Sequence, residues 1–310
     1  LDDLTDGLLI HSENFQALNL LLEKYAGKIK CTYIDPPYNS KTTQILYKNS
    51  YKHSSWLSLM DNRLAISRLL AAPDGSHIVA IDENEQEVLG RLLSIHFPDH
   101  AKECIAVVHN KKGIQGDYFS YSHDYAYFCM PPTLSRTNGK PVPESEWDYD
   151  NLRKWGRESE RESAKNCFYP IYVEGDKIAG FGDVCDKDFH PKQANVPCGQ
   201  GGRGVAVYPA DSQGVERKWR YSRDSVEGIQ QLLKVHVTSS GDVQIHKAKA
   251  EKHFKTVWDD PIYIAGDYGT KWLTNLGLKL KEDLYPKSIY TVVDSIYAVS
   301  GQGALVLDYF

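Results

Sequence analysis

Three short apolar segments, each ending at an aspartate, constrain the possible folds of this chain more than any other feature. They are IKCTYI before Asp35, HIVAI before Asp82 and ALVL before Asp308. Continuous apolar segments of this length are typical of strands that are buried on both faces of a parallel sheet. Because segments with helical apolar spacing alternate with them, the sequence predicts a doubly wound α/β sheet.

Four segments are predicted to form the helices that cover this sheet. The first has Ser12 or Asn14 as a candidate N-cap and Gly27 as its terminator, and the last has Pro286 in its first turn. In chain order they read SENFQALNLLLEKYAG, SSWLSLMDNRLAISRLL, ENEQEVLGRLLSI and YPKSIYTVVDSIYAVSG. Helices therefore accompany the predicted strands at both ends of the chain.

The middle of the chain has a different character, since turn formers become frequent from Pro131 onward. Two predicted hairpins, AVYPADSQGVERKWRYS and HVTSSGDVQIHKAK, flank the predicted helix DSVEGIQQLLKV. We therefore expect residues 1–130 and 256–310 to form the α/β domain and residues 131–255 to form an inserted mixed α+β domain. The insertion carries 20 Lys or Arg against 18 Asp or Glu, which makes it the better candidate for a polyanion-binding face.

Composition excludes several other classes of protein. With 41% hydrophobic and 25% charged residues, the chain has the composition of an ordinary soluble domain, and its net charge of −5 argues against coating nucleic acid by bulk electrostatics. No apolar run is long enough to span a membrane and no signal peptide is visible, so a cytoplasmic location is expected by default. The cysteines form no C-x-x-C pair, and no metal site is predicted.

The polar corner after the first predicted strand reads DPPYN and comprises Asp35, Pro36, Pro37, Tyr38 and Asn39. In open α/β sheets ligands bind beyond the carboxyl ends of the strands, which is where this corner lies. Two consecutive prolines restrict the backbone, so the carboxylate and a backbone carbonyl are aimed with little freedom. The corner therefore presents two acceptors beside an aromatic ring.

A planar base with an exocyclic amine matches such a corner. The lone pair of that amine is delocalised into the ring, and acceptors that hold its two hydrogens allow the nitrogen to pyramidalise and attack an electrophilic methyl group. The Asp35 carboxylate would stabilise the developing positive charge, while Tyr38 stacks on a base extracted from the helix. The alternative is a structural turn in which Asp35 is a cap.

The sequence resembles the amino-methyltransferases of DNA, in the class whose catalytic tetrad precedes the cofactor motif. More narrowly, it is similar to the modification subunit of type III restriction-modification systems. The segments that carry the resemblance, in the order expected, are HSENFQAL, CTYIDPPYN, SSWLSLMDNRL, HIVAIDENE, SHDYAYF, NCFYPIYV, KTVWDD, YPKSIYTVVDSIY and LVLDYF. The resemblance implies a Rossmann-like methyltransferase sheet with an inserted target-recognition domain.

The resemblance also implies the reaction and its residues. Asp35, Pro36, Pro37 and Tyr38 match the catalytic motif, and aspartate at its head favours the N6 amine of adenine. S-adenosyl-L-methionine is the implied cofactor. The residues implied to bind it are Glu13, Asn14, Asp35, Pro286, Lys287, Ser288, Asp308 and Phe310. His123 and Asp124 are implied to orient the flipped base, although a structural edge histidine is the alternative.

Partners follow from the resemblance as expectations. The implied substrate is double-stranded DNA, and no membrane is involved. The implied protein partners are a second copy of the chain, which would form a homodimer, and a restriction subunit with helicase and nuclease activity. Asn39, Arg217, Lys218 and Arg220 are the candidate DNA-binding residues.

Two alternatives to this function stay open, namely methylation of cytosine N4 and a non-catalytic DNA-specificity subunit. Since the sequence stops where the family's glycine-rich cofactor loop would start, we expect a fragment that binds the cofactor poorly.

Overall fold

The computed structural model describes residues 6–39, 53–199, 204–278 and 286–310. The chain divides into two compact units. The larger unit comprises Leu1–Lys140 and His253–Phe310, and the smaller comprises Pro141–Lys252. The predicted insertion, residues 131–255, covers the smaller unit and extends beyond it on either side.

Helices and strands follow one another along the described residues in the order of an α/β protein. The helices are α1 (Asn14–Tyr25), α2 (His53–Leu70), α3 (Gln86–His96), α4 (Arg223–Val226), α5 (Lys271–Asn275) and α6 (Ile289–Val299). The first strands are β1 (Ile29–Ile34), β2 (Ala71–Ile81), β3 (Ala101–Val108), β4 (Ile114–Gln115), β5 (Ser120–Tyr121), β6 (His123–Met130) and β7 (Lys140–Pro141). The remaining strands are β8 (Tyr149–Asn151), β9 (Ile171–Glu174), β10 (Lys177–Phe181), β11 (Asn195–Cys198), β12 (Gly204–Val207), β13 (Leu233–Val237), β14 (Val243–Ala248), β15 (Glu251–Lys252), β16 (Val257–Trp258) and β17 (Val306–Leu307).

The central sheet of the larger unit has the strand order β16-β3-β6-β2-β1-β17 among the described residues. Strand β1 runs parallel to both of its neighbours, with Thr32 opposite His77 on β2 and Leu307 on β17. Strand β6 runs antiparallel to both β2 and β3. The parallel strands β1, β2 and β17 agree with the predicted parallel sheet, whereas β6 departs from it. The connection between β3 and β6 forms the hairpin of β4 and β5 instead of a crossover helix, so the chain returns as an antiparallel neighbour.

Helices cover both faces of this sheet, which confirms the predicted α/β class. On one face α1, α2 and α3 pack against residues such as Ile34 and Val79, whereas on the other α6 packs against Tyr33 and Ile78. Successive side chains of a strand point to opposite faces, so both faces of the buried strands can be apolar. This explains the continuous apolar segments in the sequence.

The boundaries of two helices differ from the prediction. Helix α1 is capped by Glu13, whose carboxylate accepts a hydrogen bond from Gln16 N at 3.2 Å, so Ser12 and Asn14 were the wrong candidates. Helix α6 begins at Ile289, and Pro286 precedes it instead of lying in its first turn. No helix within the described ranges has both the length and the apolar character that a membrane span needs.

The smaller unit contains a four-stranded sheet, β10-β9-β12-β11, and a three-stranded sheet, β13-β14-β8. Its core includes the buried rings of Tyr169 and Trp219. The predicted hairpin over HVTSSGDVQIHKAK is formed by β13 and β14.

The predicted helix DSVEGIQQLLKV was right only in part. Helix α4 ends at Val226, a 3₁₀ turn spans Glu227–Leu232, and the chain then enters β13. The glycine at 228 weakens the helix, and pairing with β14 takes up the apolar end of the segment. The other predicted hairpin is reduced to a single bridge between Ala210 and Glu216, since Pro209 cannot donate to a ladder.

A pair of leucines on α2 tests the assignment of the core. The Leu64 side chain is fully buried, whereas Leu69 is 61% exposed. Leu64→Ala should lower the free energy of unfolding by about 2–5 kcal/mol because it leaves a cavity, and Leu69→Ala on the same helix should change it by less than about 0.5 kcal/mol. Urea denaturation followed by circular dichroism measures both values, and equal losses would contradict the packing described.

Candidate active site

The corner after β1 is held in place by α2. Asp35 follows β1 directly, and the fully buried indole of Trp56 donates a hydrogen bond to the Pro37 carbonyl at 2.6 Å. The Asp35 side chain remains 37% exposed, so its carboxylate reaches solvent at the edge of the sheet. The Tyr38 hydroxyl is enclosed, and burial followed by the nearby Asp35 charge raises the pKa of Tyr38 well above its usual value.

Lys287 connects this corner to the neighbouring strands. Its Nζ lies 2.5 Å from Asp124 Oδ2 and 3.8 Å from Asp35 Oδ1, and 4.5 Å from the centroid of the Tyr38 ring. Burial by itself would lower the pKa of Lys287, but the charges of Asp124 and Asp35 outweigh it and the pKa is raised. An ammonium therefore sits between two carboxylates and over an aromatic ring.

Asp124 is the second residue of the antiparallel strand β6, which places it at the edge where the parallel strands end. Besides Lys287 it contacts His109 Nε2 at 3.3 Å, at the end of β3. Burial tends to raise the pKa of Asp124, but the Lys287 ammonium and the His109 contact hold it well below its ordinary value. His123 packs edge-on against Tyr125 instead, with ring centroids 5.0 Å apart.

The position of Lys287 depends on close backbone packing. A Cβ built on Gly269 would lie 2.5 Å from the Pro286 carbonyl oxygen and 2.7 Å from that of Lys287. Ser288 is buried, donates its hydroxyl hydrogen to the Ile262 carbonyl at 2.6 Å, and caps α6 by accepting from Tyr290 N at 3.2 Å. The hydroxyl of Ser288 is thus engaged inside the protein.

The candidate cofactor residues from the two ends of the chain lie together. Asn14 donates to the Tyr309 carbonyl at 2.9 Å, across a separation of 295 residues. The Arg63 guanidinium pairs with the Glu13 carboxylate and also donates to Asn14 Oδ1. This arrangement joins the start of α1 to the segment after β17, which contains Asp308 and Phe310.

Asn39 is fixed by a buried carboxylate that the sequence analysis did not single out. Glu85 is fully buried, and its Oε1 accepts from Asn39 Nδ2 at 2.5 Å and lies 2.8 Å from His53 Nδ1. Asn39 has φ of 59°, a left-handed conformation that asparagine tolerates better than most residues. The amide of Asn39 is therefore turned toward the protein.

The three basic DNA-binding candidates of the smaller unit differ in accessibility. Arg217 pairs with Asp211 at 2.8 Å, and Lys218 is buried, so both contribute to the packing of the unit. The Arg220 side chain is 42% exposed and lies 3.7 Å from Asp150. Of the three, Arg220 is the most accessible to a ligand.

Asp82 is a further carboxylate at the edge of the sheet, directly after β2. Burial raises its pKa to about 6, hydrogen bonds from Asn84 oppose the shift, and the charges of Glu83 and Asp124 add to it. A perturbed carboxyl beside a candidate site is often functional. The sequence feature that pointed to Asp82 was its position directly after an apolar segment.

Within the described ranges no cluster of three metal-ligating side chains occurs.

Two glycines of the π-helical turn Gly266–Thr270 offer a matched test of the Lys287 support. Gly269→Ala should destabilise the protein by about 1–3 kcal/mol, because its Cβ would displace the backbone of Pro286 and Lys287. A Cβ on Gly266 meets nothing within 4 Å, so Gly266→Ala should be neutral. Thermal unfolding of both variants measures this difference, and a Gly269→Ala protein as stable as the Gly266→Ala protein would contradict the close approach.

Asp82 should give stability a dependence on pH. Because its pKa of about 6 in the folded protein exceeds the ordinary value for aspartate, the ionised form disfavours folding. The free-energy cost of ionising Asp82 in the folded protein is absent near pH ~4 and grows as the pH rises through ~6. The Asp82→Asn variant does not bear this cost, so its melting temperature should rise relative to that of the unaltered protein across this window. The exposed Asp99→Asn serves as the control, and a flat difference for Asp82→Asn would refute the assignment.

The chain is similar to several known proteins over almost all of its length. The type III restriction-modification enzyme EcoPI Mod subunit of Escherichia phage P1 is 24% identical over 99% of this chain and 53% of its own length. The type II methyltransferase M.KpnI of Klebsiella pneumoniae is 25% identical over 99% of this chain and 75% of its own length. The EcoP15I Mod subunit of Escherichia coli is 23% identical over 98% of this chain and 54% of its length. The chain thus spans about half the length of the two Mod subunits.

Among solved structures, the M1.HpyAVI–SAM complex matches 44% of this chain and 60% of that chain, with 15% identity and a TM-score of 0.31. PvuII DNA methyltransferase, described as cytosine-N4-specific, matches 39% of this chain and 49% of that chain, with 13% identity and a TM-score of 0.30. A family model described as DNA methylase matches residues 29–310. Since that match covers most of the chain, including the Asp35–Tyr38 corner, the chain belongs to the DNA methylase family.

Proposed function

We propose that the full-length protein transfers a methyl group from S-adenosyl-L-methionine to the N6 amine of an adenine extruded from duplex DNA. The observation that carries this proposal is the rigid corner Asp35–Tyr38 at the carboxyl end of β1, with the Asp35 carboxylate partly exposed and the largely buried Lys287 and Asp124 beside it. The membership of the DNA methylase family agrees with it.

The residues of the corner would act on the amine of the base. The Asp35 carboxylate and the Pro36 carbonyl accept the two amine hydrogens, which frees the nitrogen lone pair from the ring. The site carries one positive charge, on Lys287, and two negative charges, on Asp35 and Asp124. Its net charge is therefore negative, which stabilises the positive charge that develops on the amine nitrogen. The Tyr38 ring provides a plate for stacking the base.

The cofactor would supply an electrophilic sulfonium methyl group when bound. Glu13 and Asp308 offer carboxylates, which suit hydroxyl and ammonium groups, and Phe310 offers a partly accessible ring for a base. The bond from Asn14 to the Tyr309 carbonyl keeps these groups at one edge of the sheet. The chemistry of this donor set fits the cofactor.

Residues 286–288 support that proposed cofactor site in different ways. Pro286 and Ser288 fix the backbone, and Lys287 presents its charge beside Asp35.

The other partners are also proposals. The smaller unit is the candidate for target recognition, and Arg220 is its most accessible candidate contact among the three basic residues considered. The Mod-subunit relatives support a restriction subunit as a partner of the full-length protein. We also propose a homodimer, on the basis of the resemblance alone.

Asp35→Asn tests the catalytic assignment in the full-length protein. It retains the shape of the side chain but removes the charge, so methyl transfer should fall by about 10²–10³-fold or more, as for the loss of one group that stabilises a transition state. DNA affinity should be unchanged or slightly higher, because one carboxylate fewer repels the phosphates. Labelled methyl incorporation and a filter-binding assay measure the two quantities.

Asp99→Asn, which removes an exposed carboxylate elsewhere, is the matched control and should transfer methyl groups at the unaltered rate. Digestion of the product to nucleosides then decides between functions. Label on N6-methyldeoxyadenosine supports the proposal, and label on N4-methyldeoxycytidine favours the alternative substrate. Specific DNA binding by the unaltered protein without any transfer would favour a non-catalytic specificity subunit.

A further inference from the structure

A small hairpin projects from the larger unit between β3 and β6. Strands β4 and β5 pair antiparallel, with Ile114 opposite Tyr121, and Asn110 N donates to the Ser122 carbonyl at 3.2 Å. Gly113 has φ of 73°, and a Cβ on Gly116 would lie 2.6 Å from the Phe119 carbonyl oxygen. Two positions of the hairpin thus need glycine, which indicates a defined turn.

The tip of this hairpin displays two aromatic side chains to solvent. Tyr118 is 91% exposed and Phe119 is 82% exposed. Aromatic residues usually bury most of their surface, so two adjacent rings on a projecting turn are unusual. The side chains of the tip are therefore available to a partner.

The base of the hairpin is tied to the catalytic corner. His109 and Asp124 flank the hairpin and contact each other at 3.3 Å. The same Asp124 carboxylate holds Lys287, whose ammonium also faces Asp35. The hairpin accordingly rises from the edge of the sheet at which a base would have to reach the Asp35–Tyr38 corner.

The chemistry of the hairpin suits nucleic acid. The exposed Lys111 and Lys112 lie near its base, where they can meet phosphates, and aromatic rings stack on bases of any sequence. The exposed apolar side chains of the hairpin are Ile114, Tyr118, Phe119 and Tyr121, and they lie on a single two-stranded ribbon. A protein partner would require a broad apolar patch.

We propose that the hairpin, residues 110–122, inserts Tyr118 and Phe119 into the base stack of the target duplex, where they replace stacking lost when the base leaves the helix. This inference rests on the proposed function and adds to it a DNA-inserting element. Extrusion of a base costs free energy in unstacking and unpairing, and rings that occupy the vacated space recover part of it. The rings would thereby favour the extruded state.

The test compares variants of the full-length protein on two substrates. The first is a fully paired duplex, and the second carries a mismatch at the target base, which lowers the cost of extrusion. Tyr118→Ala combined with Phe119→Ala should lower kcat/KM on the paired duplex by about tenfold to a hundredfold, as expected for lost base stacking. On the mismatched duplex the loss should be much smaller.

Two control variants accompany the alanine pair. Tyr118→Phe combined with Phe119→Tyr keeps both rings and should retain activity on either substrate. Ile95→Ala removes another exposed apolar side chain, 71% accessible on α3, and should leave transfer unchanged. A duplex with 2-aminopurine at the target position should show a fluorescence increase with the unaltered protein and a weaker one with the alanine pair, because less base is extruded.

Each other outcome overturns the inference in a recognisable way. Equal losses on both substrates would indicate a structural role of the tip, and unchanged transfer on the paired duplex would refute insertion while leaving the proposed function intact. A lower oligomer mass for the alanine pair, with normal base extrusion, would identify a contact between protein chains. No methyl transfer by the unaltered protein would overturn the inference together with the proposed function.

Discussion

The buried ammonium of Lys287 is the charge on which the arrangement of the candidate site depends. A charge withdrawn from water is tolerated only when it is paired, and this one is paired with Asp124 at 2.5 Å and lies 3.8 Å from Asp35. The three residues come from the segment before α6, from β6 and from the end of β1. Removal of Lys287 would leave two neighbouring carboxylates without their shared cation, so the ammonium links these three segments.

Rigidity of the corner comes from several independent restraints. The two prolines limit the backbone, Trp56 binds the Pro37 carbonyl, and Glu85 holds Asn39 in a left-handed conformation. Preorganised groups need no rearrangement during the reaction, so they stabilise a developing charge more effectively than mobile groups do. The partly exposed Asp35 carboxylate is consistent with such a role.

Much of this could be predicted from the sequence, because the relevant signals are local. The apolar segment before Asp35 predicted β1 at its observed bounds, and the helical spacing predicted α2, in which Trp56 and Leu64 are buried. The direction of β6 was missed, since an apolar segment does not reveal the orientation of its neighbour. The helix expected after Tyr221 was wrong from Leu233 onward, because pairing with β14 outweighed the helical pattern there.

Hydrophobic periodicity and proline stereochemistry act within a few residues, so the class of fold and the chemical groups of the corner follow from the sequence alone. Which distant groups meet at this edge of the sheet depends on how the chain folds. Asn14 bonds to the Tyr309 carbonyl across 295 residues, and Asp124 reaches Lys287 across 163. Such pairs form because the carboxyl ends of parallel strands and the start of an antiparallel one share one edge of the sheet, where buried charges must find partners.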